Sequence, residues 1–222
     1  MPDTVTASAA PGAAAGARAQ AKRAVIARAA LDLFVRDGYE RTSVDAIAAE
    51  AGVSKRTVYN HYGDKERLFI SVVADTYEML MDQVTGIAQR LLPAAGAPDT
   101  AAAERALHGF IGEVVRVAVR SPQRAALLRL MFTEATHFPA LREMWTRRRT
   151  LTPLLAGWLA AAGGPAGLRV TDPVQAAAHL SALTFGEINT RSLFGLQQLS
   201  DPEIDAIVRS GVAVFIRAYR RD

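Results

Sequence analysis

Between Lys55 and His61 the chain carries Lys55, Arg56, Thr57, Tyr59, Asn60 and His61, and each of these side chains holds a hydrogen-bond donor. Such a set suits recognition. Guanidinium, ammonium and amide groups reach base edges in a DNA major groove, while hydroxyls and cations reach phosphate oxygens. The alternative for any donor-rich row is an ordinary solvated helix face.

The elements that would present this row are legible around it. The segment VDAIAAEAGVSKRTVYNHY, Val44 to Tyr62, has the spacing of a helix-turn-helix. Ile47, Ala48 and Ala51 share one face of a short helix, Gly52 can take the positive φ that ends it, and Val53 is expected to pack inward. Ser54 can cap the second helix, and Val58 and Tyr62, four apart, share its buried side. The polar row is left facing outward, on a helix slim enough for a major groove.

The stretch from about Ala21 to Leu68 resembles the TetR family of transcriptional regulators. The resemblance rests on ALDLFVRDGYERTSV, on AIAAEAGVS, on KRTVYNHY and on GDKERLF, with an aromatic residue, Tyr62, followed three positions later by Lys65. Two positions depart from the family's habit. Tyr62 stands where Phe is usual, and Arg56 stands where a small residue is common, which adds a guanidinium that can meet guanine or phosphate.

The resemblance implies roles residue by residue. Thr42 or Ser43, Tyr59 and Lys65 would hold the DNA backbone, Lys65 from the first turn of its helix, where exposed N–H groups also favour phosphate. Lys55, Arg56, Thr57 and Asn60 are placed for bases, His61 for either, and Ser54 completes the set. Arg18, Lys22 and Arg23 form a further basic cluster, either a phosphate or minor-groove clamp or a solvated helix start.

Composition is consistent with this reading. The chain of 222 residues is 50% hydrophobic, enough for a sizeable core, and carries a net charge of only +4. DNA contact must therefore come from a local patch, and all three lysines, Lys22, Lys55 and Lys65, fall in the N-terminal third. The absence of cysteine excludes disulfides, thiolate metal sites and a Cys nucleophile. No HExxH, P-loop or GxSxG motif is present, and His61, His108, His137 and His179 lack metal-ligand spacing. Neither an enzyme nor a cofactor is expected. No apolar stretch reaches the roughly 20 residues that span a bilayer, so no membrane association and a cytoplasmic location are expected.

Prolines and glycines divide the chain into roughly nine helices without strands, an all-α fold. Residues 1–17 lack large apolar side chains and read as a disordered tail, 18–67 as a three-helix DNA-binding domain, and 68–222 as a helical bundle for ligand binding and dimerisation. Helices are expected over Ala19–Arg36, with Val25 on its apolar face, from Asp64 toward Leu92, and over Thr100–Arg120. Others should run from Pro122 to about His137, Ala140–Ala162, Pro173–Leu196 and Pro202–Tyr219, Pro153 kinking or splitting its own.

One such module reads few bases, so a homodimer on a palindromic operator is expected, with half-sites about 34–36 Å apart or a multiple of that. Ala177, Ala178, Ser181, Ala182 and Gly186 would allow close helix approach, and Ile204, Ile207, Val208, Val212 and Phe215 form a stripe on the last helix. The family dimerises through these two helices; the same stripes could instead close the monomer core. Phe110, Met131, Phe132, Phe138, Trp145 and Trp158 are bulky candidates for an effector pocket or plain core, with Glu134 and His137 as a polar handle or a surface pair. Arg147, Arg148 and Arg149 read as a solvated face. A small, mostly apolar effector would act through the long helix that starts at Asp64, provided it prefers one state.

Overall fold

The computed structural model describes residues 11–146 and 151–221, and the chain divides into two compact units, Met1–Val73 and Ala74–Asp222. The N-terminal unit holds α1 (Pro11–Asp37), α2 (Val44–Glu50), α3 (Lys55–Tyr62) and the first turns of α4 (Lys65–Leu91). Its core joins Ile26, Ala30, Leu33 and Phe34 of α1 to Ile47 and Ala48 of α2, Val58 and Tyr62 of α3, and Leu68, Phe69 and Val72 of α4. Phe69 meets Phe34 edge-on at 5.0 Å between ring centroids and Tyr39 at 4.8 Å. The burial of Leu68, Phe69, Val72 and Val73 explains why the unit closes after Val73, six residues beyond the expected boundary at Arg67.

Local chemistry sets the ends of these helices. Ser43 Oγ accepts the Ala46 N–H at 3.1 Å, Ser54 Oγ accepts that of Thr57 at 3.1 Å, and Asp64 Oδ1 accepts that of Arg67 at 2.7 Å. Gly52, at φ +63°, closes α2 by a Schellman motif, in which Val53 N donates to Ala48 O at 3.0 Å and Gly52 N to Ala49 O at 3.2 Å. Val53 is half-buried, and Val25, expected on the apolar face of α1, is exposed. Helix α1 is described from Pro11, upstream of the expected start at Ala19, so residues 11–17 are helical; alanine favours that state. The rest of the expected tail, residues 1–10, lies outside the described residues.

The C-terminal unit contains the remainder of α4, then α5 (Thr100–Val119), α6 (Pro122–Glu134), α7 (Pro139–Thr146), α8 (Leu151–Ala162) and α9 (Pro173–Ser181). A π-turn, Ala182–Gly186, leads into α10 (Glu187–Arg191), and α11 (Asp201–Tyr219) ends the fold. Asp99, Ser121 and Asp172 cap α5, α6 and α9, and Ser200 with Glu203 forms a capping box on α11. Helix α11 packs on α5, α9 and the π-turn, and α8 lies along α9. The core runs through Ile87, Leu107, Phe110, Ile111, Leu159, Leu180, Val208 and Phe215.

Two expected helices end differently here. The run from Pro173 stops at Arg191 because Leu193, Phe194 and Gly195 adopt φ of 50°, 56° and 80°, a left-handed turn. That turn is tied down by Phe194 N donating to Asn189 O at 2.7 Å and by Arg129 Nη1 donating to Phe194 O at 2.9 Å. The helix expected over Ala140–Ala162 is seen as α7 and α8, with Pro153 inside α8. The join between them, including Arg147, Arg148 and Arg149, lies outside the described residues. The fold is all-α: among the described residues there is no strand, only an isolated bridge pairing Leu168 with Arg220, and no helix is long and apolar enough to cross a membrane.

Candidate nucleic-acid interface

Helix α3 is anchored by two residues and presents the others. Val58 and Tyr62 are buried, and the Tyr62 hydroxyl donates to Arg23 O at 3.1 Å, which binds α3 to α1. Lys55, Arg56, Asn60 and Tyr59, the last 42% exposed, face solvent; Thr57 and His61 are half-buried. The Thr57 hydroxyl shares a 2.8 Å hydrogen bond with Ser54 Oγ, so both hydroxyls are engaged in the cap.

The three lysines and arginines nearest this helix behave differently. Lys55 Nζ lies 2.8 Å from Asp45 Oδ2 on α2, and that carboxylate holds the ammonium above its ordinary pKa by hydrogen bond and charge. Among the described residues Arg56 makes no ion pair. Lys65, at the start of α4, is fixed from behind: its Nζ sits 4.2 Å above the Tyr39 ring and donates to Glu40 O at 3.2 Å. This arrangement holds a cation at a helix N-terminus, where N–H groups and the macrodipole add to its pull on an anion.

Several expected contacts are redistributed by the fold. Thr42 is 3% exposed and its hydroxyl donates to Gly38 O at 2.8 Å, so of the pair Thr42 and Ser43 only Ser43 is at the surface. The physical reason is that Thr42 closes the end of α1, satisfying a carbonyl that the helix leaves without a partner. Arg23 folds back over the Tyr62 ring at 5.2 Å and reaches Ser71 Oγ at 3.4 Å, leaving Arg18 and Lys22 as the outward members of their cluster. No local sequence signal marks Asp45 or Tyr39 as part of this surface. Asp45, an acidic residue in the first turn of α2, comes to Lys55 only because the turn brings the two helix starts together.

The effector candidates of the C-terminal unit are mostly interior. Phe110 and Met131 are fully buried, Phe138 is buried, and Trp158 is buried with its indole N–H donating to Pro93 O at 3.1 Å. Phe132 is a correction: 68% exposed, it stacks on Phe194 at 6.3 Å, because the left-handed turn after α10 brings that ring to the outer face of α6. His137 is exposed and lies 3.4 Å from Glu134, a surface pair three residues apart. The side chain of Trp145 lies outside the described residues. Among the described residues no group of His, Cys, Asp or Glu could hold a metal ion.

The dimer candidates also separate. Ile204, Ile207, Val208, Val212 and Phe215 are all buried within the unit and close its core, as is Ala177. Left exposed are Ala178, Ala182 and Gly186, Ser181 being half-buried, and across from them Ala206, Ser210 and Val214 of α11. Ala182, Ala206, Ser210 and Val214 line one shallow groove.

Comparison with known proteins agrees with this architecture. Residues 26–72 match the tetR family of bacterial regulatory proteins, and residues 105–221 match the C-terminal domain of AefR-like transcriptional repressors. The chain belongs to the TetR family of transcriptional regulators. Proteins of this family are DNA-binding regulators and not enzymes. The chain is similar to the DNA-binding transcriptional repressor TetR of Mycobacteroides abscessus, 37% identical over 62 residues, covering 28% of this chain and 32% of that protein. It spans about a quarter to two thirds of the length of the curated relatives it matches. A TetR-family regulator from Mesorhizobium loti superposes with a TM-score of 0.78 at 27% identity, over 92% of this chain and 99% of the other. The flavonoid-responsive regulator FrrA does so with a TM-score of 0.64 at 29% identity, over 90% and 98%.

Proposed function

We propose that this TetR-family member is a dimeric repressor, acting in the cytoplasm, that leaves a palindromic operator when a small, mostly apolar effector binds. The observation that carries this is α3 itself, held by Val58 and Tyr62 with Arg56, Tyr59 and Asn60 outward, beside Lys65 fixed on Tyr39. In this reading residues 18–67 bind DNA and 68–222 bind effector and partner. Arg56, Asn60 and Thr57 face base edges, with Lys55 beside them, while Ser43, Ser54, Tyr59 and Lys65 hold phosphates and His61 stands between the two groups.

A single α3 reads too few bases for a specific site, which favours two copies about 34–36 Å apart or a multiple of that. The exposed small-residue face of Ala178, Ala182, Gly186, Ala206, Ser210 and Val214 supports pairing of the last helices. Phe110, Met131, Trp145 and Trp158, with Glu134 and His137, are the candidate effector contacts. The responsiveness of FrrA to flavonoids supports an effector with a large apolar surface.

Selection of fragments from the source genome, followed by footprinting, tests the first part. The expected result is a protected palindrome bound by a species of twice the 23.8 kDa chain mass, with affinity falling on a log–log salt plot by about 0.9 per phosphate neutralised. Failure to retain any palindrome at low ionic strength overturns the reading. For the effector, operator affinity is measured with and without a panel of aromatic ligands. A ligand that binds but leaves affinity unchanged refutes the coupling, because equal affinity for two states shifts neither.

A further inference from the structure

The ion pair between α2 and α3 has an electrostatic consequence for DNA binding. Lys55 is the first residue of α3, where the positive end of the macrodipole disfavours a cation, and the first turn of α3 contains no acidic residue. Asp45, in the first turn of α2, supplies the missing charge from 2.8 Å away. Both side chains remain at the surface, 50% and 68% exposed, so the pair lies on the donor-bearing side of the motif and not in its core. The two charges cancel there. Arg56, the next residue, has no such partner among the described residues.

We propose that Asp45 is a positioning residue that lowers the sequence-independent affinity of α3 for DNA. It holds Lys55 as a neutral pair, so that Arg56 is the unshared cation that the first turn of α3 brings to DNA. The inference rests on α3 being the reading helix. Non-specific affinity is almost wholly phosphate neutralisation, which carries no sequence information. A carboxylate that cancels Lys55 therefore weakens binding to every duplex, and leaves the contacts that distinguish bases to Arg56 and Asn60. Removing the carboxylate releases Lys55 to a nearby phosphate and strengthens binding to right and wrong sequences alike.

The test compares the full-length chain with Asp45→Asn, Lys55→Gln and the double variant. Each is titrated with a mixed-sequence duplex and with a duplex selected from a randomised pool. Asp45→Asn should bind the mixed duplex more tightly at low salt, with a log–log salt slope steeper by about 0.9, equivalent to an extra roughly threefold loss of affinity between 50 and 200 mM salt. Its preference for the selected duplex over the mixed one should stay unchanged, because phosphate contact carries no sequence information. The double variant should return to the parent slope, which a merely structural pair would not produce. An exposed pair contributes little to stability, so the melting temperature should hardly move.

An unchanged slope overturns the proposal, whether or not melting shifts. A changed preference at one base pair without a change in slope also overturns it, and assigns Asp45 to direct base contact instead. If the parent chain retains neither duplex, the reading of α3 beneath the proposal has failed as well.

Discussion

The two units use their helices in opposite ways. In the N-terminal unit α3 is held by Val58 and Tyr62 and gives its remaining surface to polar groups. In the C-terminal unit α11 buries Ile204, Ile207, Val208, Gly211, Val212, Phe215 and Ile216, and smaller apolar residues such as Ala206 and Val214 stay outside. A surface can be inferred from residue types alone in the first case and not in the second. Where anchors are few, the polar residues between them must face out; where apolar residues abound, core, pocket and interface draw on the same side chains.

The largest effects should come from the C-terminal unit, where one change breaks a close approach. A Cβ on Gly211 would lie 2.4 Å from Leu183 O and 2.8 Å from Thr184 Cγ2, both in the π-turn. Gly211→Val should therefore force α11 off the turn, costing about 1–3 kcal/mol or more and lowering the melting temperature by several degrees. An unchanged melting curve would show that the turn yields without strain.

A pair of truncations sharpens the distinction between core and surface within the same unit. Phe110→Ala should cost about 3–5 kcal/mol in denaturant unfolding, whereas Phe132→Ala should stay within about 0.5 kcal/mol. If Phe110→Ala is mild, that ring lines a space able to collapse or accept a ligand, and the core assignment is wrong.

In the N-terminal unit the effects should appear in binding more than in stability. Arg56→Ala should change base preference at one position by about ten- to hundredfold if its guanidinium reads guanine. Lys65→Ala should weaken all duplexes alike and reduce the salt slope by about 0.9. An identical pattern from both variants would dissolve the division between reading and anchoring residues.

The smallest expected effect is on a cap. Ser54→Ala removes the acceptor for the Thr57 N–H and should cost about 1 kcal/mol of stability, read as a shifted denaturation midpoint with an unchanged slope. Ser54→Asp at the same position should retain the cap, which separates its structural part from any contact with phosphate.

Residue types and their spacing alone account for the all-α class, the turn at Gly52, the cap at Ser54 and the polar row on α3. These depend on partners within a few residues, where helical period and donor count suffice. Packing turned Thr42 inward, folded Arg23 onto Tyr62, paired Lys55 with Asp45 and set Tyr39 beneath Lys65. It also decided that the stripe on α11 closes the core and that Phe132 faces outward. Each of these is a contact between residues brought together by packing, at separations to which local periodicity is blind, and an apolar side chain carries no mark of which neighbour will cover it.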